Sequence, residues 1–386
     1  MRLVLFLRKT VNYQIISTAT ALEKVCQQAR LTDVVMLDTE FVRTRTYHPQ
    51  LGLIQLYDGE QLVLIDPLEI DDMQSFSELL MDTSVTKILH ACGEDLEVFQ
   101  HAFGCTPTPM IDTQLMAAFL GYGLSTGFAA LVNDYLDVEL DKSESRADWL
   151  ARPLTDKQLD YAAADVYYLL PLYQKLLQQV EDKGWLEAVK RESELLVEKR
   201  LKPTKPEQAY LSVKGAWILQ PQQLAILKII AQWRLLEAQK RDLALNFIVK
   251  EANMVEVCRN EMTSLKQMND AGFDHREIRR HGNTLIEMVK QGQATPESEW
   301  PAKITRLMDN PAYKQLFKVL KDEVKIASES SGLATEFLAS KKQLNQFISW
   351  VWDKDRNPEQ LPEVMQSWRK SILGDALNKK MNDKGF

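Results

Sequence analysis

Apolar and polar positions alternate with two different periods along residues 13 to 180. Short apolar runs rich in β-branched residues predict buried strands, and apolar residues that recur every three or four positions predict amphipathic helices. The Asp58-Gly59 pair between two of the runs indicates a hairpin turn. The predicted strands are 13–16, 34–38, 53–57, 62–65 and 87–90, and the predicted helices are 19–30, 73–82, 93–103, 112–120, 127–136 and 155–182. This alternation indicates a mixed α/β domain.

The pattern changes after the segment Leu201-Lys-Pro-Thr-Lys-Pro206, in which two prolines end a long helix. Beyond it, apolar residues recur only at helical spacing, and residues 291–301 are expected to form a second linker. The expected helices are 224–238, 243–247, 251–261, 264–268, 274–280 and 282–292, then 313–328, 333–339, 342–352 and 361–373. We therefore predict four segments: an α/β domain at 13–182, a helix and basic linker at 183–214, and helical domains at 215–294 and 303–378.

The first candidate site residues follow the apolar strand Val34-Val-Met-Leu37. Asp38 and Glu40 are two positions apart, so on a strand their side chains share one face while Thr39 points away. Two carboxylates on apolar elements are costly to keep charged unless a cation neutralises them. Their spacing therefore favours a shared metal ion.

Three further residues complete the candidate site. Asp95 lies in the first turn of a predicted helix, directly after a strand. Tyr161 and Asp165 are four positions apart in an alanine-rich helix, so both lie on one face. A set of ligands made only of oxygen suits Mg²⁺ or Mn²⁺. Two such ions could clamp the attacking and leaving oxygens of a phosphodiester.

The role expected for Tyr161 differs from that of the carboxylates. A phenol with a pKa near ~10 is a poor general base at neutral pH. A metal ion lowers the pKa of its bound water, so the phenol is needed only to orient that water.

Each of these features also has an ordinary structural explanation. An Asp-x-Glu after a strand is common, an acidic residue in the first turn of a helix such as Asp95 is favoured by the helix dipole, and a Tyr-x-x-x-Asp pair is often a half-buried helix face. Asp112 and Thr155 are better explained as helix N-caps than as ligands. His90 is expected to pack at a strand end. It is the combination of the three acidic segments that favours a catalytic site.

Composition and charge limit the classes of function. The chain has 386 residues, of which 45% are hydrophobic and 26% charged, as in soluble globular proteins of two or three domains. No apolar run approaches the ~18 residues of a membrane helix, and Met1–Arg8 is too short in its apolar core for a signal peptide. We expect a cytoplasmic protein with reduced thiols, since its four cysteines have no metal-binding spacing.

Net charge is distributed unevenly. Residues 13–180 contain 25 acidic and 10 basic residues, a net charge of −15, whereas residues 190–241 contain 11 basic and 5 acidic residues, a net charge of +6. Metal ions would offset part of the first value, and the basic stretch could contact phosphates. The same lysines and arginines could also form a merely solvated surface.

Three segments carry a resemblance to a known family: Leu37-Asp-Thr-Glu-Phe41, His90-Ala-Cys-Gly-Glu-Asp95 and Tyr161-Ala-Ala-Ala-Asp165. They resemble the motifs of the DEDD superfamily of 3′–5′ exonucleases, in the branch with tyrosine at the third motif. Four stretches resemble the ribonuclease D family more closely: Asp38-Thr-Glu-Phe-Val-Arg-Thr-Arg-Thr-Tyr47, Gly52-Leu-Ile-Gln-Leu56, Lys142-Ser-Glu-Ser-Arg-Ala-Asp-Trp149 and Arg152-Pro-Leu154. The helical region is similar to HRDC domains, more loosely.

The resemblance implies an α/β ribonuclease-H-like 3′–5′ exonuclease domain followed by two all-α HRDC-type domains. It implies that Asp38, Glu40, Asp95 and Asp165 bind two divalent metal cations, Mg²⁺ or Mn²⁺, and that Tyr161 positions the hydrolytic water. The expected activity is 3′–5′ exoribonuclease, releasing 5′-mononucleotides and trimming RNA 3′ ends such as those of tRNA precursors. A DNA 3′–5′ exonuclease and a non-catalytic nucleic-acid-binding adaptor stay open as alternatives. No nucleotide cofactor, membrane or protein partner is inferred.

Overall fold

The computed structural model describes residues 11–353, 357 and 360–383, so Met1–Arg8, whose apolar core is too short for a signal peptide, lies outside them. Across the described residues, six strands form one sheet in the order β1-β4-β3-β2-β5-β6. The strands are β1 (Gln14–Ile16), β2 (Val34–Val42), β3 (Gln50–Tyr57), β4 (Leu62–Ile65), β5 (Thr86–Leu89) and β6 (Met110–Asp112).

The sheet is mixed, as the alternating pattern predicts. β3 runs antiparallel to both β2 and β4, whereas the β1–β4, β2–β5 and β5–β6 pairs are parallel. The hairpin predicted at Asp58-Gly59 joins β3 to β4. Strand β6 was not predicted, because a three-residue strand after the proline-containing stretch Thr106–Pro109 is too short to show a periodic pattern.

The helices of the first half agree with prediction to within one residue at each end. They are α1 (Ala19–Ala29), α2 (Gln74–Met81), α3 (Gly93–Phe103), α4 (Thr113–Phe119), α5 (Phe128–Leu136) and α6 (Asp156–Asp182), followed by α7 (Leu186–Arg200). Asp112 and Thr155 are N-caps as expected: Asp112 accepts from the Gln114 N–H, and Thr155 forms a reciprocal capping box with Gln158.

The two faces of the sheet are covered by different helices. Leu37 and Ile54 point into a core shared with Leu22 of α1, Phe76 of α2 and Phe99 of α3. Helix α6 packs on β2, β3 and β4. Because side chains alternate along β2, residues 38 and 40 face away from the core that receives Leu37.

The described residues divide into two compact units. One contains the chain up to Val42, residues 50–201 and the described residues from Ala312 onward, and the other contains Arg43–Pro49 and Lys202–Pro311. The domain bounds given by the sequence pattern stay a prediction. None of the helices in the described ranges has the length and apolar character that a membrane span requires.

The second unit is helical, with α8 (Pro221–Arg241), α9 (Leu245–Ile248), α10 (Glu251–Arg259), α11 (Leu265–Asp270) and α12 (His275–Gln293). The two helices predicted at 274–280 and 282–292 are wrong, because α12 is continuous. Gly282 does not interrupt it: a Cβ there would lie 2.5 Å from the Leu265 side chain, so the glycine permits close packing of α11.

The C-terminal helices of the first unit are α13 (Tyr313–Ser331), α14 (Thr335–Leu338), α15 (Lys341–Trp352), α16 (Ser367–Arg369) and α17 (Asp375–Asp383). The helix predicted at 361–373 is wrong in its first half, whereas residues 367–373 are helical, with a π-helix at Lys370–Gly374 between α16 and α17. Residues 363–365 form a separate turn after Pro362, and Ser367 has a φ of +48°, which a continuous right-handed helix does not allow. Buried Arg369 anchors this region on α7 through an ion pair with buried Glu192.

Candidate active site

Three of the five predicted site residues converge between the sheet and α6. Asp38 and Glu40 lie on one face of β2, and Asp165 lies on α6, which packs on that strand. Their carboxylate oxygens lie within 4.8 Å of one another. Strand alternation and helix packing thus bring together residues that are about 125 positions apart in sequence.

The three carboxyl groups are electrostatically unfavourable as a set. Burial, followed by repulsion from neighbouring carboxylates, raises the pKa of Asp38 well above its ordinary value and that of Glu40 to about 9. Burial raises the pKa of Asp165 to about 7. A divalent cation would remove this repulsion, and carboxylate oxygens are ligands that Mg²⁺ and Mn²⁺ prefer. The donor set therefore fits such an ion.

Asp95 lies beside this cluster but is held differently. It is not one of the three residues whose oxygens lie within 4.8 Å of one another, although its charge helps to raise the pKa of Asp38 and Glu40. The Thr39 hydroxyl donates a hydrogen bond to its carboxylate. Burial raises the pKa of Asp95 to about 6, and the Thr39 hydrogen bond opposes that rise.

Tyr161 lies one turn before Asp165 on α6, and its hydroxyl is hydrogen-bonded to the Asp165 carboxyl group. Burial and then the negative charges of Asp165, Glu40 and Asp38 raise the pKa of the phenol above its ordinary value. The hydroxyl therefore keeps its proton at neutral pH. It can donate a hydrogen bond, but it cannot act as a base.

Comparison with known proteins identifies the architecture. Residues 13–181 match a family of 3′–5′ exonucleases, residues 223–289 match the HRDC domain, and residues 311–377 match the C-terminal HRDC domain of ribonuclease D. Ribonuclease D of Serratia proteamaculans is 52% identical, and the match covers 95% of this chain and 98% of the relative. Ribonuclease D of Escherichia coli K12 is 48% identical, and the match again covers 95% of this chain and 98% of the relative. The chain belongs to the ribonuclease D family.

A solved structure supports the same assignment. The crystal structure of Escherichia coli RNase D, an exoribonuclease involved in structured RNA processing, has a TM-score of 0.92 and 47% identity, covering 96% of this chain and 99% of that one. The fold predicted from the motifs, an exonuclease domain followed by two HRDC domains, is confirmed. As a member of the ribonuclease D family, the chain is a 3′–5′ exoribonuclease, which excludes the non-catalytic adaptor.

The motifs that link the chain to ribonuclease D include residues whose role the sequence did not reveal. The Trp149 ring, only 1% exposed, lies 6.1 Å from the Tyr161 ring. Arg152 donates to the carbonyls of Trp149 and Gly52 at 3.0 and 2.7 Å and forms an ion pair with Asp66 at 2.6 Å. These contacts place a fully buried indole beside the phenol.

The close approach of Trp149 explains why β3 has a glycine at position 52. A Cβ at this position would lie 2.4 Å from the Trp149 carbonyl oxygen, a distance that forbids any side chain. Gly52 and Trp149 in the quoted motifs indicated close packing. Only the fold shows that this packing places the Trp149 ring beside Tyr161. Thr39 was missed for the same reason, because its partner Asp95 is 56 residues away.

The basic stretch at residues 190–241 contributes less free charge than its composition indicates. The four basic residues of α7 form ion pairs: Lys190 with Glu187, Arg191 with Glu194, Lys199 with Glu363 and Arg200 with Glu97. Paired charges are weaker phosphate contacts than free ones. The hypothesis of a phosphate-binding stretch therefore depends on residues beyond α7, such as exposed Lys202 and Lys205.

Proposed function

We propose that the chain removes nucleotides from RNA 3′ ends and releases 5′-mononucleotides, with two divalent cations bound per site. Asp38, Glu40, Asp95 and Asp165 would hold these ions, and Tyr161 would orient the attacking water. The observation that supports this most is the convergence of three acidic side chains within 4.8 Å on apolar elements. Such a cluster is costly unless cations neutralise it.

The chemistry expected of each group follows from its surroundings. Bound Mg²⁺ or Mn²⁺ would supply a water of lowered pKa and neutralise charge that develops on the phosphodiester. Tyr161 would act as a hydrogen-bond donor that stays protonated, because burial and nearby carboxylates hold its pKa above the ordinary value. Trp149 packs against it and limits its motion, which favours one direction for its hydrogen bond.

We further propose that tRNA precursors are among the substrates. The resemblance to the ribonuclease D family supports this, as does the description of the Escherichia coli relative as an exoribonuclease involved in structured RNA processing. Two HRDC domains in addition to the catalytic domain offer surface for the folded body of such an RNA. The cytoplasmic location expected from the sequence stays a prediction.

The experiment combines three 5′-labelled substrates: an RNA oligonucleotide, DNA of the same sequence, and a tRNA transcript with a 3′ extension. With Mg²⁺ or Mn²⁺, we expect the RNA to shorten in single-nucleotide steps with release of 5′-mononucleotides, and the transcript to be trimmed to its folded body. EDTA should stop both reactions. Degradation of the DNA at the same rate would contradict the preference for RNA, and internal cleavage products would contradict the exonucleolytic assignment.

The number of ions is measured separately. Calorimetric titration of the full chain with Mn²⁺ in the presence of a mononucleotide should give a stoichiometry of two. The Asp165→Ala variant should take up fewer ions. A stoichiometry of one in the wild type, with full activity at that occupancy, would contradict the two-ion proposal and leave the exoribonuclease activity intact.

A further inference from the structure

The place of Asp95 depends on the tight turn between β5 and α3, residues 90–92. Asp95 is the third residue of α3, so a shift of the helix start moves its carboxylate directly. Ala91 has a φ of +54°, in the left-handed region that alanine rarely adopts. Cys92, the N-cap, makes no side-chain capping bond. The turn therefore has an unfavourable backbone conformation at Ala91 and no side-chain cap at Cys92.

The turn is held by Asp112, the last residue of β6. The Asp112 carboxylate accepts the N–H groups of Ala91 and Cys92 at 3.0 Å each, and that of Gln114 at 2.8 Å. The Cys92 thiol also lies 3.4 Å from it. All of these partners are donors, and Asp112 is only 2% exposed. A carboxylate, which only accepts, matches this environment.

Three further contacts hold Asp112 and Thr113 in place, two of them with the end of β5 and the turn and one with α7. The Thr113 hydroxyl donates to the Leu89 carbonyl at 3.1 Å and lies 2.9 Å from His90 Nδ1. The Asp112 N–H donates to the Ser193 hydroxyl of α7 at 3.2 Å. Asp112 thus lies between the rigid sheet and the helix that carries Asp95.

We propose that Asp112 is a positioning residue that holds Asp95 in the catalytic site by fixing the β5–α3 turn. This inference rests on the proposed role of Asp95 as a metal ligand. The simpler explanation is that Asp112 is only the N-cap of α4. Asn caps a helix as well as Asp does, so that explanation predicts a nearly neutral Asp112→Asn substitution. A positioning role predicts a loss, because Asn turns an amide donor towards N–H donors.

The experiment is a double-mutant cycle of Asp112→Asn with Asp95→Asn, measured as Mn²⁺ affinity by EPR titration, with kcat, KM and Tm of the single variants. We expect Asp112→Asn to weaken Mn²⁺ binding and to lower kcat, each roughly 10- to 100-fold, with KM for RNA changed less than about twofold. In the Asp95→Asn background it should weaken Mn²⁺ binding no further, since the residue through which it acts is already altered.

Lys87→Met is the matched control. Lys87 is fully buried at the opposite end of the same strand pair, and its ammonium group donates to the carbonyls of Asp82, Val85 and Thr108 at 2.7 Å each. Its loss should lower Tm while the folded protein keeps its kcat and Mn²⁺ affinity. If Asp112→Asn does not fold, Thr113→Val takes its place in the cycle, with a smaller loss in the same direction.

The outcomes separate this inference from the proposed function. The positioning role is overturned if Asp112→Asn keeps the wild-type kcat and Mn²⁺ affinity. It is also overturned if Asp112→Asn lowers Mn²⁺ affinity equally in the wild-type and Asp95→Asn backgrounds. Either result leaves the proposed metal site untouched. If Asp95→Asn itself keeps wild-type activity and Mn²⁺ binding, the proposed ligand set fails, and the positioning role fails with it.

Discussion

The two sides of the candidate site differ in how much of their negative charge the protein itself compensates. On the side of α6, Asp38, Glu40 and Asp165 face one another, and the pKa of Glu40 rises to about 9. On the side of α3, Asp95 accepts a hydrogen bond from Thr39, and its pKa rises only to about 6. The three carboxylates of the α6 side are half-buried and Asp95 is buried, so burial alone does not explain the larger rise in pKa on the α6 side, and the neighbouring charges must contribute.

This difference indicates a division of roles. On the α6 side, burial and repulsion outweigh the hydrogen bond between Tyr161 and Asp165, so the carboxylates depend on a cation, and this side should account for most of the metal binding. A carboxylate that already accepts a hydrogen bond is preorganised by the protein. The α3 side should therefore contribute less to metal affinity than the α6 side does, and should affect the geometry and pH dependence of the reaction as well. The following predictions test this division, beginning with the largest effect.

Removing Asp165 should have the largest effect. Asp165→Ala deletes one of the three converging carboxylates, and we expect kcat to fall by roughly 10³-fold or more. RNA affinity should be nearly unchanged, because contacts with phosphates outside the site account for most of it. Single-turnover kinetics and RNA binding by fluorescence anisotropy, both with Mn²⁺, measure the two effects.

Asp160→Ala is the control for this substitution. Asp160 lies on the same helix but is exposed, so its loss should leave kcat unchanged. Hydrolysis by Asp165→Ala at the wild-type rate would mean that the α6 side does not hold the catalytic ions.

The second prediction concerns Tyr161, which we propose orients the attacking water and does not bind the metal ions. Tyr161→Phe keeps the ring against Trp149 and removes only the hydroxyl, so we expect kcat to fall about 10- to 100-fold with Mn²⁺ affinity retained. Tyr168→Phe, on the same helix, should be neutral. Loss of Mn²⁺ binding in Tyr161→Phe would show that the phenol supports the ligands themselves, and a fully active variant would remove its orienting role.

The third prediction is the pH dependence of metal-free stability. Glu40 has a pKa of about 9 in the folded state and about 4.3 when unfolded, so the folded state binds its proton more tightly. This contribution to stability is complete below pH ~4.3 and is lost as pH rises towards 9. Tm in EDTA should therefore fall between pH 5 and 9, and the increase in Tm caused by Mg²⁺ should grow over the same range.

Differential scanning fluorimetry at several pH values measures this dependence. Glu40→Gln removes the group with the pKa of about 9, so it should flatten the fall in Tm without Mg²⁺. A wild-type Tm in EDTA that stays constant or rises across this range would contradict the repulsion that we infer for the α6 side.

Much of the fold could be predicted from the sequence because its signals are local. The period of apolar positions identified β2 and α6, and the capping box of Thr155 marked the start of α6. Prediction failed where local signals were weak or misleading. Strand β6 is too short for a pattern, and Gly282 looked like a helix break although it serves packing between α11 and α12.

The candidate site divides in the same way. Its carboxylates lie in short motifs that the sequence shows directly, whereas the groups around them act across long separations. Thr39 and Asp95 are 56 residues apart, and Gly52 and Arg152 are 100 apart. Such contacts depend on tertiary packing, which a single sequence does not specify residue by residue. The supporting residues therefore became visible only in the fold.

The smallest expected effect is that of Thr39→Val, which tests the α3 side alone. Valine has nearly the same shape as threonine, so the strand should keep its packing while Asp95 loses its hydrogen bond. One hydrogen bond contributes about 1 kcal/mol, which corresponds to a loss in kcat/KM of roughly fivefold. The pKa of Asp95 should rise above about 6, because the bond that opposed the effect of burial is gone. The loss should therefore be larger at pH 6 than at pH 8, where the carboxyl group is ionised in both proteins.

Thr39→Ser, which keeps a hydroxyl, should restore the wild-type pH profile. A Thr39→Val loss that is equal at all pH values would mean that Thr39 acts through packing, and the α3 side would then not be preorganised by this hydrogen bond.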